Sequence, residues 1–240
     1  MNGTVLITGI SGDIGYTIAK KFFQENWTII GTYAHDSHRI ERVRRDLKGA
    51  KIIKCDFSDI NQAIEVFKDF PDIYTPDVLI NAAGIVSDDF FVRMDSSDWE
   101  RVIDVNLISS IIVSSSVFKK MKKRGKGKII NLSSISGVYG RETQTNYSTS
   151  KGGLIGLTQL IENLAKGHEN ISAITIAPGM IETDIIKQVD SKKMSLFLSS
   201  LTENRLGTPS EVANLVYSLC QSNISYINGE CISIDGGAFL

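Results

Sequence analysis

Tyr147 and Lys151 stand four residues apart in Tyr147-Ser148-Thr149-Ser150-Lys151, a spacing that puts a phenol and an ammonium on one face of a helix. A free phenol titrates near pH ~10 and exchanges protons poorly at neutrality. A neighbouring cation favours the phenolate, lowers that value and makes Tyr147 an acid-base candidate. Alone the pair is a weak signal, because exposed amphipathic pairs are common. Ser134 strengthens it: the hydroxyl comes just after the apolar run Lys128 to Leu132, at the strand edge where open α/β sheets hold ligands, and could bind a carbonyl oxygen. Asn106, in Asp104-Val105-Asn106-Leu107, reads by itself as a mediocre helix residue whose amide faces solvent.

A second constellation lies near the N-terminus, in Thr8-Gly9-Ile10-Ser11-Gly12-Asp13-Ile14-Gly15, between a short apolar run and an amphipathic stretch. Glycines at a strand-to-helix junction allow a tight turn and close approach to the backbone. The helix N-terminus offers free N–H groups and a partial positive charge, and together these suit a pyrophosphate.

The elements that must position these groups are legible as a pattern. Seven Val- and Ile-rich runs, Val5–Ile7, Thr28–Ile30, Lys51–Ile53, Asp77–Ile80, Lys128–Leu132, Ser172–Ile176 and Cys231–Ile234, read as strands covered on both faces. Helical faces lie between them: Ile14, Ile18, Ala19, Phe22 and Phe23; Ala63, Val66, Phe67 and Phe70; Leu154, Leu157, Ile161 and Leu164. Ser97-Asp98-Trp99-Glu100 and Thr208-Pro209-Ser210-Glu211 have the composition of helix starts with capping boxes. The alternation predicts an α/β fold: a Rossmann-like, doubly wound parallel sheet of about seven strands with helices on both faces, in a single domain over residues 1–240. Residues 180–206 break the rhythm with a long polar stretch and form a candidate lid.

Composition removes other classes. A chain of 240 residues, 42% hydrophobic and 22% charged, can bury a sizeable core and leaves little room for a separate substrate domain. Its 26 basic residues against 27 acidic ones provide no field for nucleic acid or an anionic membrane, and no apolar run approaches the ~18 residues of a membrane span. Cys55, Cys220 and Cys231, odd in number and without a Cys-x-x-Cys pair, read as buried free thiols in a reducing cytoplasm, and no metal site is expected.

Taken together, these motifs resemble the short-chain dehydrogenase/reductases. Thr8 to Gly15 is similar to that family's Thr-Gly-x-x-x-Gly-x-Gly turn, and Asn81-Ala82-Ala83-Gly84 resembles its Asn-Asn-Ala-Gly signature. The resemblance implies a catalytic tetrad: Tyr147 as proton donor, Ser134 as hydrogen-bond partner of the substrate oxygen, Lys151 as phenol tuner and ribose binder, and Asn106 in a water-mediated proton relay. Around the dinucleotide it implies Gly9, Ser11, Gly12, Asp13, Ile14 and Gly15 in the turn, Asp56-Phe57 at the adenine, and Asn81, Ala82, Ala83 and Gly84 along the cleft. In Ala177 to Asp184, the Pro178-Gly179 segment leads to the Ile181 backbone and the Thr183 hydroxyl at the nicotinamide carboxamide. Asp13 stands where the family has a glycine. A carboxylate there either repels a phosphate or caps the helix whose first turn it occupies, and we read it as the cap.

The acidic residue that selects NAD falls at Tyr33, and His35, His38 and Arg39 follow, so NADP(H) is favoured over NAD(H). Within the family the chain is most similar to the bacterial 3-oxoacyl-[acyl-carrier-protein] reductases. That implies reduction of a ketone borne on acyl carrier protein, a basic docking surface at Arg124, Lys126 and Lys166 to His168, and a homotetramer built on the helices around Asn106–Lys123 and Asn146–Lys166. Reduction of another carbonyl, of sugar, steroid or polyketide type, and a dinucleotide-binding protein without catalysis are the alternatives.

Overall fold

In a computed structural model, described here for residues 2–68, 70–184, 191–199, 201–221, 224 and 226–238, seven parallel strands form one sheet in the order β3-β2-β1-β4-β5-β6-β7. They are β1 (Thr4–Thr8), β2 (Thr28–Tyr33), β3 (Lys51–Lys54), β4 (Val78–Asn81), β5 (Gly127–Leu132), β6 (Ile171–Pro178) and β7 (Cys231–Ile234). All seven expected strands are present, most of them longer by one to three residues.

Alternation along the central strands sends side chains to opposite faces of the sheet. Val5 and Ile7 of β1 join Ile18 and Phe22 of α1 (Asp13–Gln24), Ile40 and Val43 of α2 (His38–Asp46), and Val212 and Val216 of α9 (Pro209–Leu219). Leu6, Leu79 and Ile129 face the other layer. There they meet Phe67 of α3 (Ile60–Lys68), Val113, Val117 and Met121 of α5 (Ser109–Arg124), and Ile161 of α7 (Thr145–Ala165). Each of these large side chains contributes about 1.5–3 kcal/mol through burial. The strand order reverses between β1 and β4, the point at which doubly wound sheets open a ligand crevice.

Three local expectations change. The helix α4 (Ser96–Ile103) begins two residues earlier than expected, with Asp95 at its N-cap, and Ser97 does not cap it. Between α4 and α5 the backbone widens into a five-residue π-helical turn, Asp104–Ile108, which the composition does not announce. The candidate lid carries a helix, α8 (Ser191–Ser199), while its residues 185–190 and 200 lie outside the described residues. The continuous helical run Ser96–Arg124 is long and apolar enough by composition to cross a membrane, but its Val102, Val113, Val117 and Met121 are buried against the protein interior.

The second capping box is as expected. Thr208 Oγ1 accepts from Glu211 N, and the Glu211 carboxylate accepts from Thr208 N at the start of α9. The three cysteines are free, with Cys55 buried and the other two only partly so.

Candidate active site

Strand register brings the chemistry to one edge. Thr8 of β1 lies beside Asn81 of β4, and Asn81 beside Asn131 of β5. Thr8 Oγ1 accepts the backbone N–H groups of Ala82 (3.0 Å) and Ala83 (3.1 Å), which ties the glycine turn to the Asn81–Gly84 segment. The Asn81 side chain is buried at the strand edge. Its Nδ2 donates to Ser114 Oγ and Asn131 Oδ1 at 2.9 and 2.7 Å. Asn131 Nδ2 continues to Thr158 Oγ1 at 2.8 Å, and Thr158 and Thr175 hydroxyls meet at 2.6 Å. This buried polar ladder locks the ends of β4, β5 and β6, so Ala82, Ala83 and Gly84 carry the cleft wall.

The turn fits a dinucleotide phosphate. Gly9 has φ +68, and a Cβ there would stand 2.8 Å from Ala83 Cα; a Cβ on Gly15 would stand 2.4 Å from the Gly9 carbonyl. Only glycine permits that approach of backbone to backbone. Gly12 is the N-cap of α1, Ser11 and Ile14 are half-buried, and the first-turn N–H groups of α1 face the crevice edge. At Gly84 a Cβ would come within 3.3 Å of Lys151 Nζ and 3.4 Å of Asn106 Oδ1, so this glycine keeps open the path from the turn to the tyrosine.

Asp13 does not cap α1, whose N-cap makes no side-chain hydrogen bond. Its carboxylate points away from the helix axis instead, accepting from Asp184 N at 3.0 Å and facing Arg39 Nη1 at 3.5 Å and Arg42 Nη2 at 3.9 Å. Arg39 also holds the Asp184 carboxylate at 2.5 Å. The residue that breaks the turn pattern is a tie between the turn, α2 and the start of the polar segment.

Tyr147 and Lys151 open α7 on one face, with Lys151 Nζ 5.6 Å from the phenol ring centre. Ser134, the N-cap of α6 (Ile135–Tyr139), accepts from Ser136 N at 3.1 Å. The expected lowering of the Tyr147 pKa is not found. Burial pushes the phenol up to about 12, the hydrogen bond with Ser134 and the charge of Arg141 pull it down, and Asp88 pushes it up. Burial also holds Lys151 down to about 8, so the ammonium is a weaker influence than spacing alone suggested. Lys151 Nζ donates to the Leu132 carbonyl at 2.7 Å, and two of its three donors remain.

Asn106 is fully buried, not turned to solvent. The π-helical turn aims its carboxamide at Ile85, where Oδ1 accepts from the backbone N at 2.8 Å and Nδ2 donates to the carbonyl at 3.0 Å. Nδ2 also donates to Ser150 Oγ at 3.0 Å, which fastens the loop after β4 to α7. The side chain is a clamp between that loop and α7.

The remaining expected contacts divide. Tyr33 is buried, its hydroxyl placed between Asp36 Oδ1 (3.3 Å) and Arg44 Nη2 (3.0 Å), and Asp36 is paired with Lys54 at 2.8 Å. Asp56 forms a local turn with Ser58 and faces His35 at 3.4 Å, whereas the Phe57 ring stacks on Phe67 in the core and does not line the cleft. Pro178 and Gly179 run against β7, with Gly179 N donating to the Ile234 carbonyl at 2.9 Å; Ile181 pairs with Gly207, and Thr183 is partly exposed at the same edge. Arg124 is engaged elsewhere: its guanidinium donates to the Thr75 and Pro76 carbonyls, and with Lys126 it faces Asp77 at 3.5 and 3.3 Å. It therefore drops out of a free basic surface.

A family model for short chain dehydrogenase matches residues 3–194, and the chain belongs to that family. It is an oxidoreductase that works between C–OH and C=O with a nicotinamide dinucleotide. It is 37% identical to a 3-oxoacyl-[acyl-carrier-protein] reductase of Aquifex aeolicus, over 98% of this chain and 96% of that protein. A protein of the same name from Buchnera aphidicola is 35% identical over 99% and 97% of the two chains. Among solved structures, a 4-hydroxyisoleucine dehydrogenase complexed with NADH superposes with a TM-score of 0.91 at 28% identity, covering 98% of each chain.

Proposed function

We propose that this chain reduces a 3-oxoacyl thioester carried on acyl carrier protein to the 3-hydroxyacyl form, with NADPH as the preferred cofactor. The observation that carries the reading is the meeting of Tyr147, Ser134 and Lys151 at the sheet edge beside a glycine turn whose close backbone packing at a helix N-terminus suits a phosphate. Relatives named for this reaction along nearly the whole chain support the substrate.

The dinucleotide, when bound, supplies the hydride. Gly9, Ser11, Gly12, Ile14 and Gly15 would hold its phosphates, Ala82 to Gly84 would line the cleft beside it, and the Pro178 to Thr183 segment would receive its nicotinamide end. Tyr147 gives its proton to the ketone oxygen. A phenol held up at about 12 is protonated throughout the neutral range, which suits donation in reduction better than abstraction in oxidation. Ser134 hydrogen-bonds the same oxygen, and Lys151 uses its free donors on the ribose. Arg39 and Arg42, with no carboxylate at Tyr33, favour a 2′-phosphate.

The enzyme works in the cytoplasm as a homotetramer. Ile111 on α5 and Leu160 and Leu164 on α7, 40, 53 and 50% exposed, supply apolar surface for that assembly, and Lys166 and His168 remain for the carrier protein, with Lys126 shared with Asp77.

The test is oxidation of NADPH and NADH with acetoacetyl thioester against a panel of unrelated ketones, repeated with Tyr147→Phe. The expected result is preference for NADPH and the thioester, lost in the variant. A second reading, reduction of a different small carbonyl, is favoured by Val86 and Ser87, which follow the Asn81–Gly84 segment where the resembled family commonly has Thr-Arg, and strong preference for a non-thioester establishes it.

A further inference from the structure

Gln144 lies three residues before Tyr147 and is 7% exposed, although its side chain has four hydrogen-bonding sites. The residue before it, Thr143, has φ +67, a backbone state that a β-branched side chain adopts only under strain of about 1–3 kcal/mol. Asp89 N donates to the Thr143 carbonyl at 3.0 Å and Ser148 N to the Gln144 carbonyl at 2.7 Å, so the strained turn is fastened on both sides.

The carboxamide has one possible orientation. Asp88 presents two carboxylate oxygens at 3.1 and 3.0 Å, and a carboxylate only accepts, so the NH2 end faces Asp88. Oε1 then faces Ser136 Oγ at 3.0 Å, and Ser136 must donate. Ser136 is thereby fixed, and its backbone N–H donates to Ser134 Oγ at 3.1 Å. With that lone pair occupied, the Ser134 proton is left to point outward, toward Tyr147 and the substrate oxygen. Among the described residues no cation lies within ion-pair distance of Asp88, so Gln144 is the group that holds this exposed carboxylate.

We propose that Asp88 and Gln144 are positioning residues for carbonyl reduction: Asp88 sets the amide of Gln144, which holds Ser136 and, through it, the donor orientation of Ser134. The inference rests on the reading that Ser134 and Tyr147 act on the carbonyl. Asp88 has a second effect in the same direction, because its charge, opposed by Arg141, favours the protonated form of Tyr147.

The experiment is a double-mutant cycle on the full-length protein. Gln144→Met, close in size but unable to hydrogen-bond, is expected to lower kcat about 10-fold or more, with KM and the dissociation constant of NADPH, read by its fluorescence, changed less than about 2-fold. In a Ser134→Ala background the same substitution should have no further effect on kcat. Asp88→Asn, which keeps an acceptor for Gln144, is expected to retain most of the kcat that Asp88→Ala loses, and to move the alkaline limb of the kcat–pH profile to lower pH. Asp89→Asn is the control and leaves kcat unchanged.

Independent losses at Gln144 and Ser134, or a fall in Tm and cofactor affinity that accounts for the loss of kcat, overturn the inference. So does an unchanged kcat in Gln144→Met. If Gln144→Met does not fold, the Asp88 pair and its pH profile decide the matter. A wild-type chain that reduces no carbonyl overturns the functional reading and this inference together, whereas an active wild type indifferent to Gln144 overturns this inference alone.

Discussion

The backbone N–H of Asp184 donates to the carboxylate of Asp13 at 3.0 Å, joining residues 171 positions apart in the chain. Arg39 closes the triangle by contacting both carboxylates. A glycine at position 13 would make neither contact, so here the turn carries an anion that ties it to α2 and to the segment after β6.

Under the proposed role of Arg39 at the 2′ position, Asp13→Ser should remove one of the two carboxylates on Arg39, leaving Asp184, and tighten NADPH by about 3- to 10-fold, near 1 kcal/mol, with a smaller change for NADH. Fluorescence titration at low and high salt checks this. Equal shifts for the two cofactors would mean that Arg39 does not read the 2′ position.

The glycines of the turn should separate sharply. Gly9→Ala combines φ +68 with a 2.8 Å approach to Ala83 Cα, and Gly15→Ala drives a methyl to 2.4 Å from the Gly9 carbonyl. Each is expected to cost about 1–3 kcal/mol or more in urea unfolding and to remove cofactor binding. Gly12→Ala meets only the Gly9 carbonyl at 3.4 Å and should cost less, about 0.5–1 kcal/mol, as the loss of a glycine N-cap.

Lys151 destabilises the fold it serves. Its folded pKa of about 8 lies below the value of ~10.4 for an unfolded lysine. The cost of burying the ammonium is therefore full below pH 8 and fades as pH rises toward ~10.4, because the folded chain releases its proton first and stability climbs through that window. Lys151→Met should raise Tm at pH 7, by about 2–4 °C for each kcal/mol relieved, and raise it less at pH 9.5, while reduction is lost. Calorimetry at the two pH values decides; an equal gain at both would place the cause outside the charge.

At the other end of the chain, Glu211 is held down to about 2, chiefly by its hydrogen bond with Arg205 and then by Thr208. A depressed carboxylate stabilises above its unfolded pKa of ~4.3 and loses that effect as pH falls toward 2. Glu211→Gln should be less stable than wild type at pH 7, with the gap narrowing below pH 4. Thr208→Ala should cost about 1 kcal/mol in the same denaturation assay.

Much of this site is written in local residue order. The strands are legible because parallel strands buried on both faces become apolar runs, and the glycine turn because its φ and its close contacts exclude other residues. Tyr147 and Lys151 are legible because four residues span one helical turn. What escapes is set by distance in the chain. Asn106 looks exposed because nothing in Asp104 to Leu107 announces a π-helical turn, and its partner Ile85 lies on another loop. Phe57 resembles a cleft residue until Phe67 claims its ring. The Tyr147 pKa follows burial, which depends on the whole edge and not on the lysine four residues away. Gln144 was missed although its place just before the catalytic helix could have marked it as a cap.

The π-helical turn has a consequence for how such a chain tolerates length changes. Deleting Asp104 would let Ser96–Arg124 close into an unbroken α-helix with a regular ladder, a gain for the backbone. One residue of an α-helix is about 100° of rotation, so α4 would swing that far around α5 and Asn106 would leave Ile85. A single-codon deletion here would thus improve the helix and dismantle the site, so that regularity and activity are opposed in this stretch.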